Sequence, residues 1–460
     1  MIRGEAGTTG SCRYGSRQTR GRHVVALAGL TLAHGADAPH RKEGDAEASL
    51  SEIGRVIIVG AGQAGGEAAI RLRQLGFKGE IMLIGEEPLP PYQRPPLSKK
   101  FLSGEMPEDR LLLKPAEAYA EENITLLTGK KVVWIDRSQK KARLEGGREL
   151  GYDALILATG SRVRALPVAG ADLPGVFMLR TAADVDALRP EFKPGKRLVV
   201  IGAGYIGLEV AAVARTLGLE VTVLEAAARP LARVTSPEVS GFFLDYHASK
   251  GVRFALSAQA AVIKGDARVR AVGLKDGSEV PCDLVLAGIG ILPETSLAET
   301  AGLKVEDGIV VDRQARTSDP SIYAIGDCVR RPLVHYDREG RLESVHNAIE
   351  GGKIAAAMIT GSAMPAEEVP WFWSDQYDLK LQIAGLSTGY DQLVIRGSME
   401  KRAFAAFYLK AGKLLAVDAV NSPAEFLGGK RLIERGASVA PAALSDMSKP
   451  FKEIMTAALA

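Results

Sequence analysis

The sequence predicts an α/β protein with two Rossmann-like dinucleotide-binding domains and a small C-terminal α+β domain. Three observations carry that prediction. A G-x-G-x-x-G loop occurs twice, each time after a run of β-branched residues and before a helical pattern. Downstream of each loop a similar apolar strand recurs, "YDALILATG" at Tyr152–Gly160 and "CDLVLAGIG" at Cys282–Gly290, which marks an internal duplication. From about Pro370 the pattern changes to alternating strands followed by helices. A chain of 460 residues accommodates this at ~100–200 residues per domain.

Residues 1–54 read as foreign to the rest. Arg3, Arg13, Arg17, Arg20 and Arg22 face one acid, Glu5, and a short apolar run, Val24–Leu32, follows. The expectation is a disordered or non-native extension, with a targeting segment as the alternative. The next methionine, Met82, lies beyond the first loop.

The first loop sits in "RVIIVGAGQAGGEAAIRLRQLG". Val56–Val59 is an apolar run suited to a strand covered on both faces. Gly60, Gly62 and Gly65 supply the tight turn, the close approach to a pyrophosphate and the helix–strand packing. The helix N-terminus offers free N–H groups and a positive dipole to phosphates. Glu86 follows the second strand, "EIMLIG", where an acid accepts hydrogen bonds from an adenosine ribose. The second loop, Gly202, Gly204 and Gly207, repeats the spacing, and Glu225 repeats the acid. A carboxylate there suits the 2′-OH of NAD and repels the 2′-phosphate of NADP. Arg229, four residues later, weakens that preference somewhat. Before each duplicated strand lies a turn-rich alternating stretch read as short antiparallel strands. The expected bounds are 55–165 with 291–369 for the first domain, 166–290 for the second and 370–460 for the third. Two loops imply two dinucleotides and therefore electron transfer, with FAD and a nicotinamide as the pair.

From about Arg55 onward the chain resembles the FAD-dependent, NADH-linked ferredoxin reductases of the putidaredoxin reductase and rubredoxin reductase type. The resemblance rests on "GAGQAG", "PPYQRPPLSK", "LILATGSR", "GAGYIGLEVA", "SIYAIGDC", "SVHNAIEGGKIAAAMI" and "PWFWSDQY", in family order. It implies a glutathione-reductase-like arrangement of the FAD and NAD domains. It places Gly60, Gly62, Ala64 and Gly65 on the FAD pyrophosphate and Glu86 on the ribose. Arg94 is implied to meet the diphosphate, and Lys99 the flavin ring, both from a loop stiffened by Pro88, Pro90, Pro91, Pro95 and Pro96. Val132, Thr159, Gly160 and Arg180 are implied FAD contacts, and Asp327 an acceptor for a ribityl hydroxyl. Val345 starts a helix whose N-terminus is implied to face the flavin pyrimidine edge. Trp373 is implied at the flavin edge on the acceptor side. Gly202, Gly204, Tyr205, Ile206, Gly207, Glu225 and Gly290 surround the nicotinamide nucleotide in this picture. Tyr205 guards its slot, and Glu209 pairs with Lys99 at the junction, so that Lys99, Glu209 and Tyr205 are the catalytic candidates.

The absences sharpen the reading. Glutathione and lipoamide reductases carry a C-x4-C redox pair after the first helix, whereas Pro91–Lys100 contains no cysteine here. Cys12, Cys282 and Cys328 have no redox or cluster spacing, so an iron–sulfur centre belongs to a partner. The low cysteine count fits a reducing, cytoplasmic setting. His23, His34, His40, His247, His335 and His346 show no metal-binding spacing, so no metal site is expected. A net charge of +3 without basic blocks gives no reason to expect nucleic acid. The uncharged runs Val24–Ala36 and Ile354–Ala366 are shorter than the ~20 residues of a membrane span. The expected function is an NADH-dependent FAD reductase that passes single electrons to a [2Fe–2S] ferredoxin, or less readily a rubredoxin. That carrier would serve a cytochrome P450 or a dioxygenase. Arg330, Arg331 and Arg341 are candidates for docking an acidic carrier. The alternatives are a small-molecule reductase of the monodehydroascorbate reductase kind and a redox-signalling flavoprotein like apoptosis-inducing factor.

Overall fold

The computed structural model describes residues 53–460. The N-terminal extension up to residue 52, including Cys12, and with it the expected disordered or targeting segment, lies outside the described residues.

The first sheet explains its own apolar sequence. Arg55–Val59 lies between Ala154–Leu157 and Glu80–Ile84, with Ile322–Ala324 and Ile124–Leu127 at the edges, all parallel. Val56 and Ile58 pack on one side with the helix Gln63–Gln74. Ile57 and Val59 pack on the other with a three-stranded antiparallel sheet, Val132–Asp136, Lys141–Leu144 and Glu149–Gly151. Both faces are covered, which is why the strand shows no alternation. Each such fully buried side chain contributes about 1.5–3 kcal/mol.

The second parallel sheet repeats the plan. Its order is Arg253–Leu256, Glu220–Glu225, Arg197–Ile201, Leu284–Ala287 and Val176–Phe177. Its own antiparallel meander, Ala260–Gly265, Val269–Leu274 and Glu279–Pro281, packs beside it. The chain passes between the two sheets twice, and the crossing segments pair as Ser161–Val163 against Ile291–Pro293. Ile322–Ala324 then returns to the first sheet. The helix Val345–Ile359 packs closely on Gln63–Gln74. A Cβ on Gly352 would stand 3.0 Å from the Ala68 nitrogen, so glycine sets the separation of these helices.

The C-terminal part is a five-stranded antiparallel sheet in the order Trp371–Gln376, Leu379–Gly385, Lys413–Val420, Ala403–Lys410 and Gln392–Ser398. The helix Pro423–Glu434 covers it, and Phe404, Phe407 and Tyr408 are buried in it. The apolar alternation becomes visible only from Leu379, and the structure has a strand before it, Trp371–Gln376. That strand hides because its buried face carries polar residues: Ser374 and Gln376 are each 1% exposed. A hydropathy alternation cannot mark a strand whose inward positions are hydroxyl and amide. Among the described residues no helix is long and apolar enough to cross a membrane.

Candidate active site

In each glycine loop, two of the three glycines are sterically obligatory and one opens outward. Gly60 has φ +112°, and a Cβ there would lie 2.1 Å from the Ala158 carbonyl oxygen. A Cβ on Gly65 would lie 1.9 Å from the Gly60 oxygen. Nothing stands within 4 Å of a Cβ on Gly62. The second loop repeats this: Gly202 (φ +105°) and Gly207 are closed off by Gly288 and Gly202, and Gly204 is open. Gly62 and Gly204 cap the helices Gln63–Gln74 and Tyr205–Thr216, with no side chain on the first N–H groups. Both helix ends thus present bare donors beside clear space, the geometry that takes a pyrophosphate. The residues present therefore fit two dinucleotides.

Around the first loop several distant segments converge. A Cβ on Gly326 would touch Ala64 Cβ at 3.1 Å, so the Gly326–Asp327 turn abuts the loop helix. The Asn347 side-chain amide donates to the Gly326 oxygen at 3.1 Å, tying Val345–Ile359 by its N-terminal turn to the same point. Ser344 caps that helix and Val345 is its first residue. Asp327 accepts from Ser161 Oγ at 3.0 Å and Arg180 Nη2 at 3.2 Å. Gly160 faces the Arg180 guanidinium, and Thr159 Oγ1 donates to the Glu294 oxygen at 2.6 Å. Arg94 donates to the Arg180 oxygen at 2.6 Å and to Glu87 at 2.5 Å, so Glu87 and Arg180 already engage its guanidinium. Burial and the nearby Arg94 hold Arg180 below the usual guanidinium range. Glu86 lies at the rim, two residues past its strand, and pairs with Lys131 at 2.9 Å. That pair brings Glu86 beside the start of Val132–Asp136, where the Val132 side chain itself lies in the core.

In the second loop Glu225 is tied to the backbone. It accepts from Ala203 N at 2.7 Å and from Ala227 N at 2.8 Å. Arg229 is held by the Ala232 oxygen at 3.0 Å and the Ser236 oxygen at 3.3 Å. Ile206 is exposed, and a Cβ on Gly290 (φ +102°) would meet the Arg233 guanidinium at 3.8 Å.

The structure brings Lys99 and Glu209 together. Lys99 Nζ lies 2.7 Å from Glu209, whose side chain is 1% exposed. Ser98 and Ser374 also donate to that carboxylate, Ser374 at 2.6 Å. Burial raises the Glu209 carboxyl above the ordinary carboxylate range, while Lys99 and the two hydroxyls oppose it. The Tyr205 ring lies 4.8 Å from Phe372, and its hydroxyl is buried without a partner. Burial pushes that hydroxyl well above its usual range. An aromatic string continues from Phe372 to Trp373 at 6.3 Å and on to Trp371 at 5.5 Å. Sequence reasoning missed Glu87, Ser98, Ser374, Gln376 and His247. Only the polar residues at period two in "WFWSDQ" signalled any of them.

Cys282 and Cys328 are buried and unpaired, and burial pushes the Cys282 thiol up to about 12. Arg330 pairs with Glu306 and Glu339, and Arg341 with Asp307 and Glu343, so these docking candidates are neutralised within the chain. His346, Glu350 and Glu368 converge, but Lys353 and Lys430 take up the two carboxylates, which makes the group an ion-pair cluster.

Residues 54–352 match the family model described as pyridine nucleotide-disulphide oxidoreductase, and residues 371–455 match the one described as reductase C-terminal. Putidaredoxin reductase of Pseudomonas putida is 45% identical over 411 residues, covering 88% of this chain and 97% of that protein. Rhodocoxin reductase of Rhodococcus erythropolis is 45% identical over 398 residues, covering 86% and 93%. The crystal structure of the covalent putidaredoxin reductase–putidaredoxin complex superposes with a TM-score of 0.87 at 45% identity, covering 88% of this chain and 99% of that one.

Proposed function

Because the chain belongs to the pyridine nucleotide-disulphide oxidoreductase family, we propose that it is an NADH-dependent FAD reductase that passes electrons singly to a [2Fe–2S] ferredoxin. A rubredoxin is the less favoured carrier, and the carrier in turn serves a cytochrome P450 or a dioxygenase. The single observation that carries this reading is the Lys99–Glu209 pair, its buried carboxylate on the helix that the second open glycine loop starts, with no cysteine in the Pro91–Lys100 segment that supplies the lysine. Bound FAD supplies acceptance of an electron pair from NADH and its release one electron at a time.

The chain's own residues supply the rest. Gly60, Gly62, Ala64 and Gly65 hold the FAD pyrophosphate, with Glu86 and Val132 at the adenosine end. Thr159, Gly160, Arg180, Asp327 and Arg94 hold the middle of the molecule. Val345 and Trp373 border the ring, where the helix N-terminus favours negative charge. Gly202, Gly204, Gly207 and Gly290 hold NADH, Glu225 binds its adenosine ribose, and Tyr205 and Ile206 border the nicotinamide. Lys99 places a cation at the junction, and Glu209 keeps it there at lower cost than an unpaired buried charge. No cysteine stands in Pro91–Lys100, so the chain itself would offer no thiol relay between bound FAD and an external carrier. The domain bounds are 55–165 with 291–369, 166–290 and 370–460, and the low cysteine count supports a cytoplasmic setting.

The test is NADH-dependent cytochrome c reduction with and without added ferredoxin. Strong stimulation is expected. Equal rates with and without ferredoxin would overturn the reading.

A further inference from the structure

We propose that Ser374, Gln376 and His247 are positioning residues that hold Glu209 against Lys99 through a hydrogen-bonded chain polarised in one direction. The inference rests on the reading that the Lys99–Glu209 pair faces the junction of the two nucleotides. The chain runs across three elements. Glu209 lies on the helix Tyr205–Thr216, Ser374 and Gln376 on the strand Trp371–Gln376, and His247 on the helix Pro237–Ser249. Ser374 Oγ is 2.6 Å from Glu209 Oε1, Gln376 Nε2 is 3.0 Å from Ser374 Oγ, and His247 Nε2 is 2.8 Å from Gln376 Oε1. All four side chains are buried, at 1% exposure or less.

Donor and acceptor chemistry fixes the direction. A carboxylate only accepts, so the Ser374 hydroxyl donates to Glu209. That hydroxyl then accepts from the Gln376 amide N–H, which turns the Gln376 carbonyl toward His247. The imidazole must therefore carry its hydrogen on Nε2. Every hydrogen in the chain points toward Glu209, and each bond polarises the next. Burial pushes His247 down to about 4, so the ring is neutral at physiological pH, and its Nδ1 has no partner. Tyr377 and Phe254 fix the ring, with centroids 5.1 Å and 6.2 Å away.

The other groups facing Glu209 are few. Lys99 and Ser98 reach it from the proline-rich loop on its Oε2 side, and Tyr205 lies on its own helix. Asp418 and Tyr408 act on Tyr205 from the C-terminal sheet. Because Lys99 requires an oxygen, Glu209→Gln must turn its amide N–H2 toward Ser374. The buried Ser374 hydrogen then loses its acceptor, the Gln376 carbonyl turns to receive it, and His247 Nε2 must accept from the Gln376 amide, so the hydrogen on His247 moves to Nδ1. A set of side chains that merely packs has no reason to relay that change to the far end.

The experiment is nitrogen NMR of the FAD-loaded, ¹⁵N-histidine-labelled protein, with the His247 signal assigned by its loss in His247→Phe. The wild type is expected to show the Nε2–H tautomer and Glu209→Gln the Nδ1–H tautomer. In Glu209→Gln combined with Ser374→Ala, the change at position 209 should no longer reach His247. Independently, infrared titration of the Glu209 carboxyl should move up by about one to two pH units in Ser374→Ala, from the loss of one hydrogen bond to a charged group. Ser374→Thr should restore it. An unchanged His247 tautomer in folded Glu209→Gln protein, or an unmoved Glu209 titration in Ser374→Ala, would overturn the proposal. Neither readout involves an electron acceptor. A failed ferredoxin assay would therefore overturn the proposed function and leave this chain standing.

Discussion

Replacing Glu225 by glutamine tests coenzyme choice and loop architecture together. The side chain ends the strand Glu220–Glu225, and each of its oxygens accepts one backbone N–H, from Ala203 at 2.7 Å and from Ala227 at 2.8 Å. Glutamine supplies one oxygen and one N–H2, so one backbone donor loses its acceptor. A hydrogen bond to a charged group contributes about 1.5–3 kcal/mol. The adenosine ribose hydroxyl proposed to donate to this carboxylate loses a charged acceptor of the same kind, so at 1.36 kcal/mol per tenfold kcat/KM for NADH should fall about 10- to 150-fold. For NADPH the same loss is offset by removing a like charge opposite the 2′-phosphate. The ratio of the two values should therefore drop at least about tenfold. Arg229 does not blur the outcome, because carbonyls of Ala232 and Ser236 already hold its guanidinium. The assay is steady-state kcat/KM for both coenzymes with ferricyanide as acceptor, normalised to FAD content. A ratio unchanged in Glu225→Gln, or wild-type turnover of NADPH equal to that of NADH, would refute the reasoning.

Four further outcomes are expected. Gly202→Ala places a Cβ 2.4 Å from the Gly288 oxygen at φ +105°, and overpacking plus strain should cost at least about 3 kcal/mol. Gly204→Ala meets nothing within 4 Å, so its cost should stay near or below about 1 kcal/mol while affinity for NAD⁺ drops; thermal melting and calorimetric titration separate the two. Lys99→Met leaves the Glu209 carboxyl buried without its cation, and breaking such a pair costs about 3–5 kcal/mol. Glu209 already titrates above its ordinary value, so the folded protein binds a proton that the unfolded chain releases. The loss should therefore be small in acid and grow as pH rises; equal losses in mild acid and mild alkali, read as melting temperatures, would argue against a buried charge. Asp418 is raised by burial from 3.8 to about 6, with Thr235 and Tyr408 on one oxygen and nothing on the other. Its folded value lies above its unfolded one, so about 3 kcal/mol of stability present in acid should be lost as pH rises from below about 4 to above about 6. Asp418→Asn should abolish that slope, and melting curves across this range decide it.

The parts of the site legible in the sequence are those where a backbone requirement dictates residue type. Gly60, Gly65, Gly202 and Gly207 are readable because no other side chain fits against Ala158, Gly60, Gly288 and Gly202. The two sheets are readable because strands covered on both faces need unbroken apolar runs. Spacing alone also marks Gly62, Gly204, Glu86 and Glu225, family resemblance supplied the other site residues, and neither disclosed their geometry. Neither foretold that Glu87 engages Arg94, or that Arg330 and Arg341 spend their charge on neighbouring acids.

By itself the sequence determined the duplicated nucleotide-binding plan, the outward-facing Gly62 and Gly204, and the absence of a redox cysteine pair near the first helix. Tertiary structure alone decided what surrounds Glu209. Ser98, Ser374, Gln376 and His247 come from segments far apart in the chain and meet only when the C-terminal sheet packs on the second-loop helix. The reason is physical. A buried carboxylate demands donors but does not specify which residues supply them or from where in the chain. That demand is met by packing in three dimensions and leaves in one only the faint period of Ser374 and Gln376.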